Sequence, residues 1–258
     1  MPNSRYLVVH GHFYQPPREN PVTGAIADQP TAAPFPNWNE RITRECYAPF
    51  SRARILSQSG QIVRILNNYQ YISFNVGPTL MSWLFDYSPD TAELIIKADK
   101  DGANEHNGHG PALAQVFNHM IMPLANRRDK VTQIIWGREF FKKSFGRLPE
   151  GMWLAETAAD IESLALLAKA GLKFTILAQG QVDAVRPLTE DRSGAWQKLE
   201  TGIDPRVPYR IYWGRNPRDY INVFVYDGPV SRAVAFEGLL RDGKHFLDRI
   251  ERAFGQNF

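Results

Sequence analysis

The segment at residues 151–158 constrains the fold most strongly, because a short apolar run there ends in one carboxylate, Glu156, beside Trp153. A helical pattern begins near Asp160, shortly after that carboxylate. In α/β barrels the catalytic groups sit at the C-terminal ends of the strands. The segment therefore predicts a barrel strand that delivers one acid into a cleft.

A second apolar run, at residues 222–226, ends in Asp227. Each acid on its own is equally consistent with an N-cap or with a charge at the start of a helix. Two acids at two strand ends, however, form the arrangement that glycoside hydrolysis needs. We expect Glu156 and Asp227 at the same edge of one sheet, with their carboxyl groups about 5–5.5 Å apart as in retaining enzymes.

The neighbours of the two acids differ in polarity. A nucleophile must be ionised, whereas a general acid must hold its proton near neutral pH in an apolar setting or beside a negative charge. Thr157 gives Glu156 a polar neighbour, while Phe224 and Tyr226 place aromatic rings near Asp227. This pattern is compatible with Glu156 as the nucleophile and Asp227 as the general acid.

Apolar runs alternate with helical patterns along the chain, which indicates an α/β fold with a parallel sheet, either open or closed into a barrel. Gly146 is expected to end one of the helices, and Thr79 is expected to cap another. Residues 62–66 are expected to continue a helical stretch. We predict strands at residues 6–9, 71–76 and 174–177, and helices at residues 90–100, 130–145 and from near 160 to 171.

Two histidines, His10 and His12, lie at the end of the first predicted strand. Residues two apart in a strand face the same side, so both imidazoles are expected to point into one cleft. As metal ligands they would need a third partner, for which His106 or His109 is available. Because no HExxH or cysteine pattern supports a metal, we expect no metal and no cofactor, and we assign the imidazoles to sugar hydroxyls.

Further candidate contacts to a saccharide substrate lie near the predicted strand ends and in one loop. Trp153 and Tyr226 present aromatic faces, which suit the C–H surfaces of sugars. His109 stands between two glycines in a loop. Each of these residues is also compatible with an ordinary packing role, and their combination favours an oligosaccharide or polysaccharide as the partner.

The composition argues against other partners. Thirty basic and 27 acidic residues give a net charge of +3 without a dense basic run, so nothing favours a nucleic acid. No apolar stretch approaches the roughly 20 residues of a membrane span, so we expect no membrane association. The single cysteine, Cys46, excludes an intramolecular disulfide and, without a signal-peptide pattern, predicts a cytoplasmic protein. The oligomeric state stays open.

At these residues the chain resembles the N-terminal part of glycoside hydrolase family 57, and the resemblance spans nearly the whole chain. Residues 153–156 resemble the family motif whose glutamate is the nucleophile, and residues 226–236 resemble the motif whose aspartate is the general acid/base. This sequence has Tyr226 where the family typically has an arginine, and Arg232 where it has a second aspartate. These differences indicate a divergent branch of the family.

Residues 10–16 resemble the first motif of the same family, a His-Gln-Pro sequence at the end of strand one. The resemblance implies that His10, His12 and Gln15 contact substrate, although two aromatic residues separate His12 from Gln15 in this chain. The stretch around His109 resembles the second motif only loosely.

The resemblance implies an incomplete seven-stranded (β/α) barrel and a retaining glycoside hydrolase or glucanotransferase that acts on α-glucans. Residues 1–258 would form a single catalytic domain without the last strand and the C-terminal helical region, so the chain is expected to be a fragment with weak or no activity alone. Two other functions stay open. One is a metal-dependent carbohydrate deacetylase with His10 or His12 as ligands, and the other is a catalytically weak barrel that binds carbohydrate.

Overall fold

A computed structural model of the protein describes residues 6–189, 193–200 and 202–254. The chain divides into two compact units, Met1–Ala155 and Glu156–Phe258. Each unit has its own sheet and its own set of buried apolar side chains.

The first unit contains six described strands and five described helices. The strands are β1 (His10–Phe13), β2 (Ala53–Leu56), β3 (Ile62–Leu66), β4 (Ser73–Val76), β5 (Ala112–Gln115) and β6 (Met152–Trp153). The helices are α1 (Trp38–Ile42), α2 (Ala48–Phe50), α3 (Pro78–Tyr87), α4 (Pro89–Glu105) and α5 (Arg127–Phe145), with a π-helical stretch (Thr43–Tyr47) between α1 and α2.

Four of these strands form a parallel sheet in the order β1-β4-β5-β6. All four residues of β5 are buried, as are Phe74 in β4 and Met152 in β6. Strands of parallel sheets are covered on both faces, so they read as short continuous apolar runs rather than as alternating patterns. The predicted strand at residues 71–76 is confirmed as β4.

Local signals set the ends of the helices in this unit. The side chain of Asn126 accepts a hydrogen bond from the amide of Asp129 and caps α5, and Gly146 ends it in the left-handed conformation with φ of 72°. The predicted helices at residues 90–100 and 130–145 are therefore confirmed. The prediction for Thr79 is wrong, because Pro78 occupies the first turn of α3 and the Thr79 hydroxyl donates to the carbonyl of Gln15 instead.

Two other sequence predictions are also wrong. Residues 6–9 form no strand and are exposed, because β1 begins at His10, where its pairing with Ser73 of β4 begins. Residues 62–66 are β3 rather than helix, and they pair with β2 in an antiparallel hairpin. A turn in which Gly60 has φ of +79° reverses the chain, and the β-branched residues of β3 favour the extended conformation.

The second unit is built around a three-stranded sheet. The unit contains five described strands: β7 (Phe174–Ala178), β8 (Ala184–Val185), β9 (Gln197–Lys198), β10 (Tyr209–Tyr212) and β11 (Tyr220–Tyr226). Its described α-helices are α6 (Ile161–Lys169), α7 (Gly228–Phe236) and α8 (Gly243–Ala253). β11 pairs with β7 in parallel and with β10 in antiparallel orientation, whereas β8 and β9 form a separate pair. The predicted strand at 174–177 and the helix after Asp160 are confirmed, and the Asp160 side chain caps α6.

The expected α/β fold with parallel strands is confirmed by this topology. The finer expectation of an incomplete seven-stranded barrel is not confirmed, because the strand order places the parallel strands in two separate sheets. Within the described parts of the chain, no helix combines the length and the apolar character needed to cross a membrane.

Candidate active site

The C-terminal ends of the four parallel strands in the first unit bring polar and aromatic side chains together. His12 in β1 is in register with Asn75 in β4, and Gln115 in β5 is in register with Trp153 in β6. Open α/β sheets bind their ligands outside the carboxyl ends of the strands. This edge is therefore the candidate binding surface of the first unit.

Five aromatic rings stack at this edge, and we call them the ring cluster. The Trp153 indole lies 5.1 Å from the His10 ring and 4.9 Å from the His12 ring, measured between centroids, in nearly parallel orientation. The His12 ring stacks in turn on His119 at 5.2 Å, and His119 stacks on Tyr14 at 3.8 Å. The cluster unites the predicted residues His10, His12 and Trp153.

Hydrogen bonds among amides and imidazoles orient these rings. Nδ1 of His10 lies 3.0 Å from the Ser73 hydroxyl, and Nε2 of His10 lies 3.1 Å from Oδ1 of Asn75. The Asn75 amide nitrogen donates to Oε1 of Gln115 at 2.7 Å and lies 2.9 Å from Nδ1 of His12. The contacts of His10 with Ser73 and Asn75 are satisfied when His10 is neutral and carries its proton on Nε2, and the shorter contact of His12, with the Asn75 amide nitrogen, is satisfied when Nδ1 of His12 is an acceptor.

Burial reinforces the neutral form of His10. Desolvation lowers the pKa of His10 from 6.5 to about 4, because a buried imidazole loses the hydration that stabilises its charged form. The hydrogen bond to Asn75 opposes this shift, and the neighbouring His12 adds to it. His10 is thus a neutral hydrogen-bonding group at neutral pH rather than a cation.

Asn75, Gln115, Tyr14 and His119 complete this site. Asn75 and Gln115 are almost fully buried, at 0% and 2% exposure. A polar residue inside or at the end of a buried apolar strand is the signal by which they could have been found. Among the described residues, no hydrogen-bond partner takes up the Gln115 amide nitrogen or the Trp153 indole nitrogen, and both atoms are buried.

Gln15 and His109 lie in other surroundings. Gln15 is buried, its amide nitrogen donates to the Tyr47 hydroxyl at 3.0 Å, and its oxygen accepts from Arg18 at 2.7 Å. The exposed His109 lies 2.7 Å from the Glu150 carboxylate. These contacts show how both residues are held, and they do not bring either one to the ring cluster.

Glu156 stands at the start of the second unit in a strained turn. Glu156 has φ of 53° and ψ of 21°, and Thr157 has φ of 55°, so two consecutive non-glycine residues are left-handed. This conformation is sparsely populated and recurs at functional sites. Glu156 is exposed, whereas Thr157 is 7% exposed and its carbonyl accepts a hydrogen bond from Gln181 at 2.8 Å.

Asp227 follows Tyr226, the last residue of β11, and caps α7. Its Oδ1 atom accepts a hydrogen bond from the amide of Val230 at 2.9 Å. Asp227 also lines an open depression of about 390 Å³, whose wall includes Gln179, Asp204 and Arg206. The N-cap role that its position allowed is thus present, and Asp227 borders a cavity as well.

The strands that precede the two acids belong to different sheets. β6 leads to Glu156, and β11 leads to Asp227. The expectation that both acids sit at the edge of one hydrogen-bonded sheet is therefore wrong, because β6 pairs only with β5 among the described strands. Their roles as nucleophile and general acid stay predictions.

The described residues contain no group of three or more His, Cys, Asp or Glu side chains that could hold a metal ion. Nδ1 of His106 contacts the Gly102 carbonyl at 2.8 Å, and His109 pairs with Glu150. The contacts of His106 and His109, the two histidines considered as a third ligand, are therefore with residues other than His10 and His12.

The sequence matches the family model of glycosyl hydrolase family 57 over residues 18–255. It is 28% identical over 177 residues to alpha-amylase 1 of Dictyoglomus thermophilum. The aligned region covers 65% of this chain and 24% of that protein. The 4-alpha-glucanotransferase of Thermococcus litoralis superposes with a TM-score of 0.61 at 15% identity, over 95% of this chain and 30% of that one.

A branching enzyme of the same family from Thermococcus kodakaraensis superposes with a TM-score of 0.51 at 16% identity, over 89% of this chain and 48% of that one. At such low identity the two structures show a shared fold. The chain spans about a quarter of the length of the curated relative and less than half of each of these two structures.

Proposed function

The chain belongs to glycosyl hydrolase family 57, and from this premise we propose that it is the catalytic part of a retaining enzyme acting on α-glucans. The relatives named above are an alpha-amylase, a 4-alpha-glucanotransferase and a branching enzyme. Hydrolysis, transfer and branching share a covalent glycosyl-enzyme intermediate and differ in the acceptor that resolves it. The proposal therefore covers all three reactions. An incomplete (β/α) barrel as the single catalytic domain is part of the same proposal.

The observation that carries the proposal is the left-handed pair Glu156–Thr157. A non-glycine residue at positive φ costs free energy, and two in succession persist only where the surroundings hold them. In this conformation the Glu156 side chain is exposed and Thr157 is buried. A structural acid would not need this conformation, whereas a nucleophile must project towards the substrate.

In the proposed mechanism Glu156 attacks the anomeric carbon and forms a glycosyl ester, while the bond from that carbon to the leaving oxygen breaks. Asp227 donates its proton to that oxygen. In the second step Asp227 takes a proton from water or from an acceptor sugar, whose oxygen then displaces Glu156. Both carboxyl groups return to their starting states, so the cycle consumes no other reactant.

The ring cluster is proposed as the surface for the glucan. Its aromatic faces suit the C–H surfaces of glucose units. We assign substrate contacts to His10, His12, Trp153 and Tyr226. In this proposal Gln15 contacts substrate only when a sugar hydroxyl replaces Tyr47 as its hydrogen-bond partner. His109 does so only when a sugar hydroxyl replaces Glu150.

The experiment is product analysis with maltooligosaccharides, glycogen and an aryl glycoside that carries a good leaving group. We expect Glu156→Gln to lose activity on every substrate, because no covalent intermediate forms. Asp227→Asn is expected to lose activity on the natural glucans and to retain the first step on the aryl glycoside, which needs little protonation. Asp183→Asn and Glu237→Gln, two exposed acids of the same unit, are the controls. Normal turnover by Glu156→Gln would remove the nucleophile assignment.

A further inference from the structure

We infer that the short turn Gln179–Gln181 after β7 sets the placement of both proposed catalytic acids, with Gln181 acting on Glu156 and Gln179 acting on Asp227. The inference rests on the proposed function, since it assigns positioning residues to that reaction. Neither glutamine touches the reacting atoms in this assignment. Each one fixes the backbone beside one acid.

The turn stands on a rigid base. In β7, Thr175 is fully buried, Leu177 is 3% exposed, and Ile176 is 9% exposed. β7 pairs with β11 in parallel, and Ala178 at the end of β7 is in register with Tyr226 at the end of β11. The turn therefore begins at the same level of the sheet at which Asp227 leaves β11.

Gln181 connects this turn to the strained pair. Its Oε1 atom accepts a hydrogen bond from the amide of Ala178 at 2.7 Å, and its Nε2 atom donates to the Thr157 carbonyl at 2.8 Å. The first bond orients the side chain, and the second holds the peptide of a left-handed residue. Because Thr157 follows Glu156 directly, the donor of Gln181 fixes the conformation that exposes the Glu156 carboxylate.

Gln179 connects the other side of the turn to the second acid. Its Oε1 atom accepts a hydrogen bond from the amide of Gly228 at 2.8 Å, and its Nε2 atom donates to the Ile203 carbonyl at 3.1 Å. Gly228 follows Asp227 directly and begins α7. The bond to Gly228 therefore fixes the start of the helix that Asp227 caps, and the bond to Ile203 holds the neighbouring wall of the depression.

The two side chains thus have separate effects on the reaction. Loss of the Gln181 donor releases the nucleophile, which every substrate needs. Loss of the Gln179 contacts releases the general acid, which matters most for a poor leaving group. A side chain that only stabilised the fold would affect all substrates alike, so dependence on the leaving group separates positioning from stability.

The test uses Gln179→Ala and Gln181→Ala in the whole chain, with a maltooligosaccharide and an aryl glycoside as substrates. We expect Gln181→Ala to lower kcat on both substrates by about 10- to 100-fold, the range in which displacement of a reacting group by about 1 Å lowers rates. Gln179→Ala is expected to lower kcat on the maltooligosaccharide to a similar extent and on the aryl glycoside by less than about threefold. KM should change little in either variant.

Gln179→Glu gives a second measurement that does not depend on removing the side chain. The carboxylate still accepts from Gly228 but no longer donates to Ile203, so kcat at the optimum should recover in part. The added negative charge beside Asp227 should raise the pKa of its carboxyl group, because a like charge disfavours ionisation. The alkaline limb of the rate profile on maltooligosaccharides should therefore move to higher pH, as expected when Asp227 is the acid that titrates in this limb and Gln179 lies beside it.

Gly180→Ala is the matched control, because it lies in the same turn and a Cβ at this position would meet nothing within 4 Å. It should leave both rates unchanged. Equal losses on both substrates in Gln179→Ala, with no shift of the pH profile in Gln179→Glu, would overturn the assignment for Gln179. Wild-type rates in Gln181→Ala would overturn that for Gln181. Failure of the proposed function is distinct, because Glu156→Gln would then keep its activity.

Discussion

The indole ring of Trp153 stacks on the imidazole of His12, with centroids 4.9 Å apart and 21° between the ring planes. Trp153 ends β6 and His12 lies in β1, and these are the two outer strands of the four-stranded sheet. Side chains from the two outer strands of the sheet therefore converge at the end where the strands terminate. One tryptophan supports both histidines, since His10 lies 5.1 Å from the same ring.

Replacement of Trp153 tests the value of this support. Trp153→Ala removes the surface on which His10 and His12 stack, whereas Trp153→Phe keeps an aromatic face. We expect Trp153→Ala to raise KM for maltooligosaccharides about tenfold, equivalent to about 1.4 kcal/mol and to one or two aromatic contacts. Steady-state kinetics of the two variants provide the measurement, and Trp153→Phe should show a smaller change.

Trp196→Ala is the control for this substitution, because Trp196 is 65% exposed and lies outside the ring cluster. Its KM should equal that of the unaltered protein. If Trp153→Ala also leaves KM unchanged while the protein stays folded, the ring cluster does not contact the glucan.

Local sequence signals were sufficient for several elements of the fold. The helix at residues 130–145 and its end at Gly146 followed from apolar periodicity and from a glycine suited to positive φ. The strand at residues 174–177 followed from a short apolar run. The hairpin of β2 and β3 was missed because its apolar residues lie largely on the exposed surface, where their spacing imitates an amphipathic helix.

The candidate site was predictable to a smaller extent. His10, His12 and Trp153 were found because histidines and tryptophans at strand ends are typical of binding sites, and they do lie together. His119 and Tyr14 join them through contacts between residues far apart in sequence, which no local pattern specifies. The same limit applies to the glutamines of the 179–181 turn, whose partners are set by tertiary structure.

The pH dependence of stability reports on His10. Its pKa falls from 6.5 to about 4 on folding, because of burial. Between these values the unfolded chain binds a proton that the folded chain does not, so the free energy of unfolding should decrease as the pH falls from 6.5 towards 4. The full difference corresponds to about 3 kcal/mol at about 1.36 kcal/mol per pKa unit.

Urea unfolding at several pH values across this window measures the effect. His10→Gln should flatten the dependence, since glutamine does not titrate. His245→Gln, which changes an exposed histidine in the second unit, should leave the slope as it is. An identical slope in the unaltered protein and in His10→Gln would contradict a neutral, buried His10.

The ion pair between Asp99 and Arg147 should contribute strongly to the stability of the first unit. Asp99 is 2% exposed and accepts two hydrogen bonds from Arg147, at 2.7 and 2.8 Å. Both residues also bond to the backbone of Ala112 and so fix the start of β5. Arg147→Met would leave a buried carboxylate unpaired, and we expect it to lower the free energy of unfolding by about 3–5 kcal/mol.

Urea unfolding at neutral pH measures this loss and compares it with the loss at an exposed ion pair on α4, the helix that carries Asp99. Lys97 pairs with Asp101 in α4, but the Lys97 side chain is 64% exposed. Lys97→Met should therefore cost no more than about 0.5 kcal/mol. Similar losses in both variants would show that burial of Asp99 does not set the strength of its ion pair.

Helix α5 approaches the end of β5 closely at Gly137. A Cβ atom on Gly137 would lie 2.1 Å from the carbonyl oxygen of Gln115. At an unobstructed position inside a helix, replacement of glycine by alanine stabilises a protein by up to about 1 kcal/mol. At Gly137 we expect the opposite sign, a loss of about 1–3 kcal/mol from overpacking, together with a raised KM, because the backbone of Gln115 must move at the candidate binding edge.

Gly243→Ala, at the start of α8 with nothing within 4 Å of the added atom, should be neutral or slightly stabilising. If urea unfolding finds Gly137→Ala stabilised as well, the contact between α5 and Gln115 does not hold this edge in place.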